Sequence, residues 1–197
     1  MRRWLTLAAL FAVVLGLGWV QANRPRVAAL PVVYTVQGDS EVEAAGVTAR
    51  LLEALHVEKL LSDSYDAEGE ILPTKGTWVV ATVEIGATRE PTLGVVFELV
   101  DRHGRTFTTT SRAGSMSYRL QPGEVVTLQM AFEVPLDALP DGVDEGRDPG
   151  LTLRMYPEGI NYYTVGIPME VGAIQIDSLK PWSSTMLEEA LGPRVAS

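Results

Sequence analysis

The chain has 197 residues, with 25 acidic against 16 basic side chains and a formal net charge of −9, a balance that argues against a nucleic-acid surface. It contains no cysteine, which excludes disulfides, thiolate metal sites and thiol nucleophiles. Hydrophobic residues make up 46% and charged residues 21%, so the composition is globular, and the length holds one domain of about 150 residues plus an extension.

That extension comes first in the chain. Met1-Arg2-Arg3 precedes an uncharged run, Trp4 to Val20, which is long for a signal-peptide core and at the short limit for a spanning helix. Val20-Gln21-Ala22 has the small-residue spacing of a signal peptidase site, and Trp4 and Trp19 bracket the run as interfacial aromatics do in a retained anchor. Residues 1–22 are therefore expected to be a transmembrane signal-anchor helix, or a signal peptide cleaved after Ala22. Either fate makes the remainder extracytoplasmic, with the amino terminus inside when the helix is kept. Residues 23–46, with prolines and then an acidic run, predict a tether and a first edge strand near Val32 to Val36.

Val47 to Asp63 is ambiguous in isolation. Leu51, Leu52, Leu55 and Leu60 approach helical spacing, yet Val47, Ala49 and Leu51, then Leu55 and Val57, also fit two strand fragments joined by a break. Beyond it the period is two. Val79, Ala81, Val83 and Ile85 alternate on one face, as do Leu93, Val95, Phe97 and Leu99. "DRHG" turns the second of these runs into Thr106 to Thr110. In "LQPGEVVTLQMAFEVP", Pro122-Gly123 suits the centre of a type II turn, Val126, Leu128, Met130, Phe132 and Val134 share one face, and Pro135 ends the ladder. Leu151 to Tyr156 and Val171 to Leu179 supply two more strands. Ser183 to Gly192 has a serine N-cap, paired glutamates and a glycine stop, and predicts a short helix in a tail over 181–197. Short strands at regular intervals imply an all-β sandwich over 47–180.

The succession "TWVVATVEI", "FELVDRHGRTFTTT" and "LQPGEVVTLQMAFEVP" resembles the DUF4352 family, telokin-like immunoglobulin-fold domains of bacterial surface proteins. Phe97, Leu99, Asp101, Gly104 and Phe107 fit that family's hairpin, and Leu120, Pro122, Gly123, Phe132, Val134 and Pro135 its following strand. The likeness runs from about Glu41 to Tyr156. It implies an immunoglobulin-like antiparallel β-sandwich with a strand before "TWVVATVEI", which makes Val47 to Leu61 extended. The family carries no general activity, so none is implied.

Chemistry is sparse. His56 and His103 are the two histidines, and neither belongs to a zinc motif; a partly buried structural residue and an exposed turn residue are the expectations. No serine has a nucleophile-elbow setting, "AGSMS" around Ser115 being the nearest. No catalytic residue and no cofactor are expected, and the chain is not read as an enzyme. The acidic loop Asp137 to Gly150 offers hard oxygens from Asp141, Asp144 and Asp148 as a weak Ca²⁺ candidate, without EF-hand spacing. With Glu145, and with Tyr162 and Tyr163 of "NYYTVGIP", these residues are the candidate partner contacts. The expected role is a binding or accessory module of the cell envelope, with an envelope or membrane protein as partner. The alternatives are a calcium-dependent surface domain, an enzyme with an unrecognised site, and a purely structural envelope component.

Overall fold

The computed structural model describes residues 31–62, 69–92, 94–110, 119–157, 170–186 and 191–195; the apolar run from Trp4 to Val20 lies outside them. They form a β-sandwich. One sheet has five strands in the order β1 (Val32–Gln37), β9 (Glu170–Ile176), β8 (Leu151–Pro157), β5 (Val95–Val100) and β6 (Thr106–Thr108). The other has six. Its main path is β10 (Lys180–Met186), β3 (Val47–Leu61), β4 (Thr77–Ala87), β7 (Glu124–Val134) and β11 (Leu191–Val195), with β2 (Glu41–Ala44) paired to β3 beside that path.

The alternations seen in the sequence become the core. Val126, Leu128, Phe132 and Val134 of β7, Val79, Ala81, Val83 and Ile85 of β4, Phe97 and Leu99 of β5, and Leu151, Leu153 and Met155 of β8 are buried in one cluster between the sheets. Each such strand turns one face inward because successive side chains point to opposite sides of the pleat. β4 goes further than its alternation predicts. Trp78 and Val80, on its other face, are also buried, in a second cluster with Leu55, Val57, Leu60 and Ala131. The segment after β3 folds back beside this cluster, where the Leu72 N–H donates to the Leu60 carbonyl at 2.8 Å and Leu72 packs on its edge.

Val47–Leu61 is a single strand, and the break is a bulge. Leu51 pairs with Val83 and Glu53 with Thr82, which leaves Leu52 as the extra residue. A bulge changes the phase of the side chains. Val47, Ala49 and Leu51 point to the central core before it, Ala54 and His56 after it, and Leu55 and Val57 turn to the outer cluster. The free edge of β3 is shared by two strands, β2 along Val47 to Arg50 and β10 along Leu55 to Leu61.

Two expectations need correction. The sandwich is not purely antiparallel, because β1 pairs with β9 and β10 with β3 in parallel. β1 and β9 both finish where the chain crosses to the other sheet, through Gly38 to Ser40 and through Asp177 to Leu179, so they must run the same way. The terminal helix expected over Ser183 to Gly192 is also absent from the described residues. Lys180–Met186 is strand β10 and Leu191–Val195 is strand β11. The open edge of β3 offers backbone partners that outweigh a local helical preference, since that preference is worth only tenths of a kcal/mol per residue. The described residues of the tail are therefore part of the six-stranded sheet.

Phe132 is fully buried where β7 meets β4. Phe132→Ala is expected to cost about 3–5 kcal/mol through lost burial and the cavity left behind, whereas Thr127→Val on the opposite face of β7 stays within about 0.5 kcal/mol. Thermal and denaturant melts of the two variants measure the difference.

Candidate functional site

The acidic loop is a folded cap over one end of the sandwich. Pro135 ends β7, and Leu136–Ala138 and Val143–Glu145 form two short 3-10 turns. Gly142 and Gly146, both with left-handed backbone, bracket the second turn, a conformation that other residues adopt only at a cost. Ala138 and Val143 are buried against the central core. These two apolar anchors hold the loop down and leave its carboxylates on the outer side.

Two polar clusters complete the attachment. In the first, His56 Nδ1 lies 2.6 Å from Asp144 Oδ1 and His56 Nε2 lies 2.8 Å from Thr77 Oγ1. The bulge at Leu52 makes this contact reachable, because it turns His56 toward the core side, opposite Val79. In the second, Arg105 donates from Nε to Asp101 at 2.6 Å and from Nη1 to both oxygens of Asp137, at 3.0 and 3.1 Å. Asp101 also accepts from the backbone N–H groups of His103 and Arg105, both at 2.9 Å. The β5–β6 turn is thereby tied to the first turn of the cap.

Asp101 has its side chain out of solvent. Burial pushes its carboxyl up, but the hydrogen bonds from the Arg105 side chain and from the two backbone N–H groups outweigh burial and hold it below the usual carboxylate range. The two aspartates in turn raise the Arg105 guanidinium. Such a carboxylate favours the folded state above its unfolded value of about 3.9, and that contribution is lost as pH falls through the lower folded value.

Asp144, His56 and Thr77 stand in the order carboxylate, imidazole, hydroxyl, the order of a hydrolytic relay. Their environment gives them a different role. Thr77 is only 6% exposed, and its hydroxyl lies 3.5 Å from the Val57 carbonyl, so it faces its own sheet and no approaching substrate. Both ring nitrogens of His56 are occupied. The hydroxyl can accept from Nε2–H while donating to Val57, or donate to a bare Nε2, so the contact is satisfied in either charge state of the ring. The arrangement is a latch that holds the cap.

The candidate residues separate accordingly. Asp144 is taken by His56, and Asp148 accepts the Gly150 N–H at 2.7 Å within its own turn. Asp141 and Glu145 are exposed on the cap. Asp141, Asp144 and Asp148 do not converge, and among the described residues no group of three or more acidic or histidine side chains could hold a metal ion. Tyr162 and Tyr163 lie outside the described residues. Thr77, Asp101 and Arg105 were not read as parts of a site. The Asp-x-x-Gly of the β5–β6 turn signals Asp101, because aspartate side chains commonly bond the backbone two residues on. Nothing local signals Thr77, which meets His56 only across paired strands.

A concavity lies where both crossovers leave the five-stranded sheet. It is a cleft of about 260 Å³ lined by Gly38, Asp39, Leu51 to Ala54, Asp177, Ser178 and Lys180. Lys180 pairs with Glu53 across it at 2.7 Å.

No protein-family model matches the chain, and no curated protein matches it in sequence. Similar solved structures are distant. The YjhA protein of Bacillus subtilis aligns over 72% of this chain and 99% of its own at 13% identity, with a TM-score of 0.49. The secreted protein MPT63 of Mycobacterium tuberculosis aligns over 73% and 98% at 15% identity, with a TM-score of 0.47. An uncharacterised β-sandwich protein of Clostridium difficile 630 aligns over 73% and 95% at 9% identity, with a TM-score of 0.41.

Two outcomes follow from the clusters. Asp101→Asn lowers the melting temperature at pH 7, and its deficit against the wild type shrinks as the pH falls below the unfolded carboxylate value of about 3.9 and through the lower folded value; melts across pH 2 to 8 record this. His56→Ala costs about 1–3 kcal/mol, because it removes the short contact to the buried Thr77 hydroxyl, leaving that hydroxyl only the long one to the Val57 carbonyl, and cuts the link to Asp144. It also loosens the cap, so trypsin cleaves after the exposed Arg147 faster than in the wild type.

Proposed function

We propose that the chain is a membrane-anchored or secreted extracytoplasmic module of immunoglobulin-like type that binds a partner protein without turning over a substrate. The observation that carries this reading is the cap. Its frame is pinned by Ala138, Val143, His56 and Arg105, while the same loop exposes Leu136 at 69% and the carboxylates of Asp141 and Glu145. A loop pinned at several points that holds out an apolar residue and carboxylates loses little entropy on binding. Its complement is an apolar hollow rimmed by Lys or Arg.

The residues behind the DUF4352 resemblance support the fold part of this reading. Phe97, Leu99, Leu120, Phe132 and Val134 are buried, Asp101 organises its turn, and Gly104 and Gly123 take the positive φ of +79° and +84° that their turns require. For location, the support is the uncharged run from Trp4 to Val20 behind paired arginines.

Crosslinking in intact cells tests the role. Leu136→Ala combined with Asp141→Asn and Glu145→Gln is expected to reduce partner capture at least tenfold while leaving the melting temperature within a few degrees of wild type. Undiminished capture would overturn the assignment of the cap. Intact mass of the membrane fraction tests location: a mass beginning at Met1 shows a retained anchor, and one beginning at Asn23 shows cleavage after Ala22.

A further inference from the structure

We propose that the latch of Asp144, His56 and Thr77 is a proton-sensitive clasp, which holds the cap more tightly when the imidazole is doubly protonated than when it is neutral. The clasp acts on the cap itself and needs no partner. Imidazole is the side chain that ordinarily changes charge between about pH 5 and 8, a range in which carboxylates of ordinary acidity stay ionised. His56 is the imidazole that ties the cap to the sandwich. His103 lies on the β5–β6 turn, where its ring meets Arg102.

The donors and acceptors around the ring distinguish its two charge states. His56 Nδ1 lies 2.6 Å from an Asp144 oxygen, and an ionised carboxylate only accepts, so Nδ1 must carry a proton for the cap to be held. In the neutral ring that leaves Nε2 bare. The Thr77 hydroxyl, 2.8 Å away, then gives its one proton to Nε2 and loses the longer contact to the Val57 carbonyl, 3.5 Å off. The other neutral tautomer keeps Val57 but turns a bare Nδ1 on the Asp144 carboxylate, lone pair against lone pair. Only the doubly protonated ring donates to Asp144 and Thr77 together and leaves the hydroxyl proton for Val57. It also sets a positive charge against the carboxylate, and a charge-assisted contact is stronger than its neutral counterpart.

Among the described residues, Asp144 is the ionic partner of the ring. β4 sets Val79 opposite His56 and β10 sets Pro181 beside it, and neither ionises. Along β3, Glu58 lies two positions on and is exposed, while Glu53 is paired with Lys180 at 2.7 Å. The cap adds Asp141, Glu145 and Arg147, all exposed to water. The second tie of the cap, from Arg105 to Asp101 and Asp137, contains no imidazole. Protonation therefore acts at one end of the cap, on the turn Val143–Glu145.

The chain has no cysteine, so a single introduced thiol reports the state of the cap. Val143 is 5% exposed, and a Val143→Cys thiol reacts with maleimide when the cap lifts. Its rate is divided into that of a small free thiol at the same pH, which removes the titration of the thiol itself. In the full-length protein this protection is expected to rise roughly threefold to tenfold from pH 8 to pH 5.5, the worth of one charge-assisted contact at a half-exposed site. With His56→Gln or Asp144→Asn added, it is expected to stay within a factor of about 1.5, since no imidazole then faces a carboxylate. Hydrogen exchange of the cap amides over 136–147, corrected for intrinsic rates, repeats the comparison between the unaltered chain and His56→Gln with Val143 in place. Protection that does not change with pH overturns the clasp. A rise of the same size in His56→Gln also overturns it, and assigns the effect to another group such as His103.

Discussion

The bulge at Leu52 is the constraint on which the rest depends. β3 pairs with β4 from Val47 to Val57 and shares its other edge between β2 and β10. A regular strand of that length presents one set of side chains to one face throughout. By changing phase at Leu52, β3 first packs Val47, Ala49 and Leu51 into the central core, then sends Leu55 and Val57 to the outer cluster. The same change places His56 on the side from which the cap is reached. The core, the outer cluster and the latch thus share one extra residue.

The cap shows how polar groups are placed when their surroundings leave little choice. Asp101 sits out of solvent and is still ionised in preference to neutral, because three N–H donors converge on it. Each of its hydrogen bonds comes from the turn that follows it, so a local structure creates the acceptor that Arg105 then links to Asp137. His56 and Asp144 work across a longer separation. Their contact closes the loop that begins at Pro135 onto a strand nearly ninety positions earlier in the chain. With Asp144 about half exposed, such a contact specifies one arrangement of the cap more than it adds stability, since water competes for it.

The exposed surfaces divide into two kinds. The cap carries an apolar residue and free carboxylates on a rigid frame, which suits recognition by side chains. Among the described residues no strand lies on the outer side of β1, and the strand itself carries no charge, which suits recognition by another strand. These surfaces use different elements and different physics, so occupation of one does not require the other.

What the sequence determined by itself was the strand set with clean alternation. β4, β5, β7 and β8 were legible because a period of two, bounded by glycine and proline, has one physical reading when a single face is buried. The turn at Pro122-Gly123 and the acidic loop were legible for the same local reasons. β3 was ambiguous because its phase change at Leu52 brings Leu51, Leu52 and Leu55 close to helical spacing. The terminal strands were misread as a helix because their preference is set by the open edges of β3 and β7, which no local pattern records. Only the tertiary structure could join His56 to Thr77 and Asp144, or turn both crossovers to the same end and make β1 and β9 parallel. Those facts depend on register between segments distant in the chain, and register is decided by which faces and edges remain unburied once the sheets have packed.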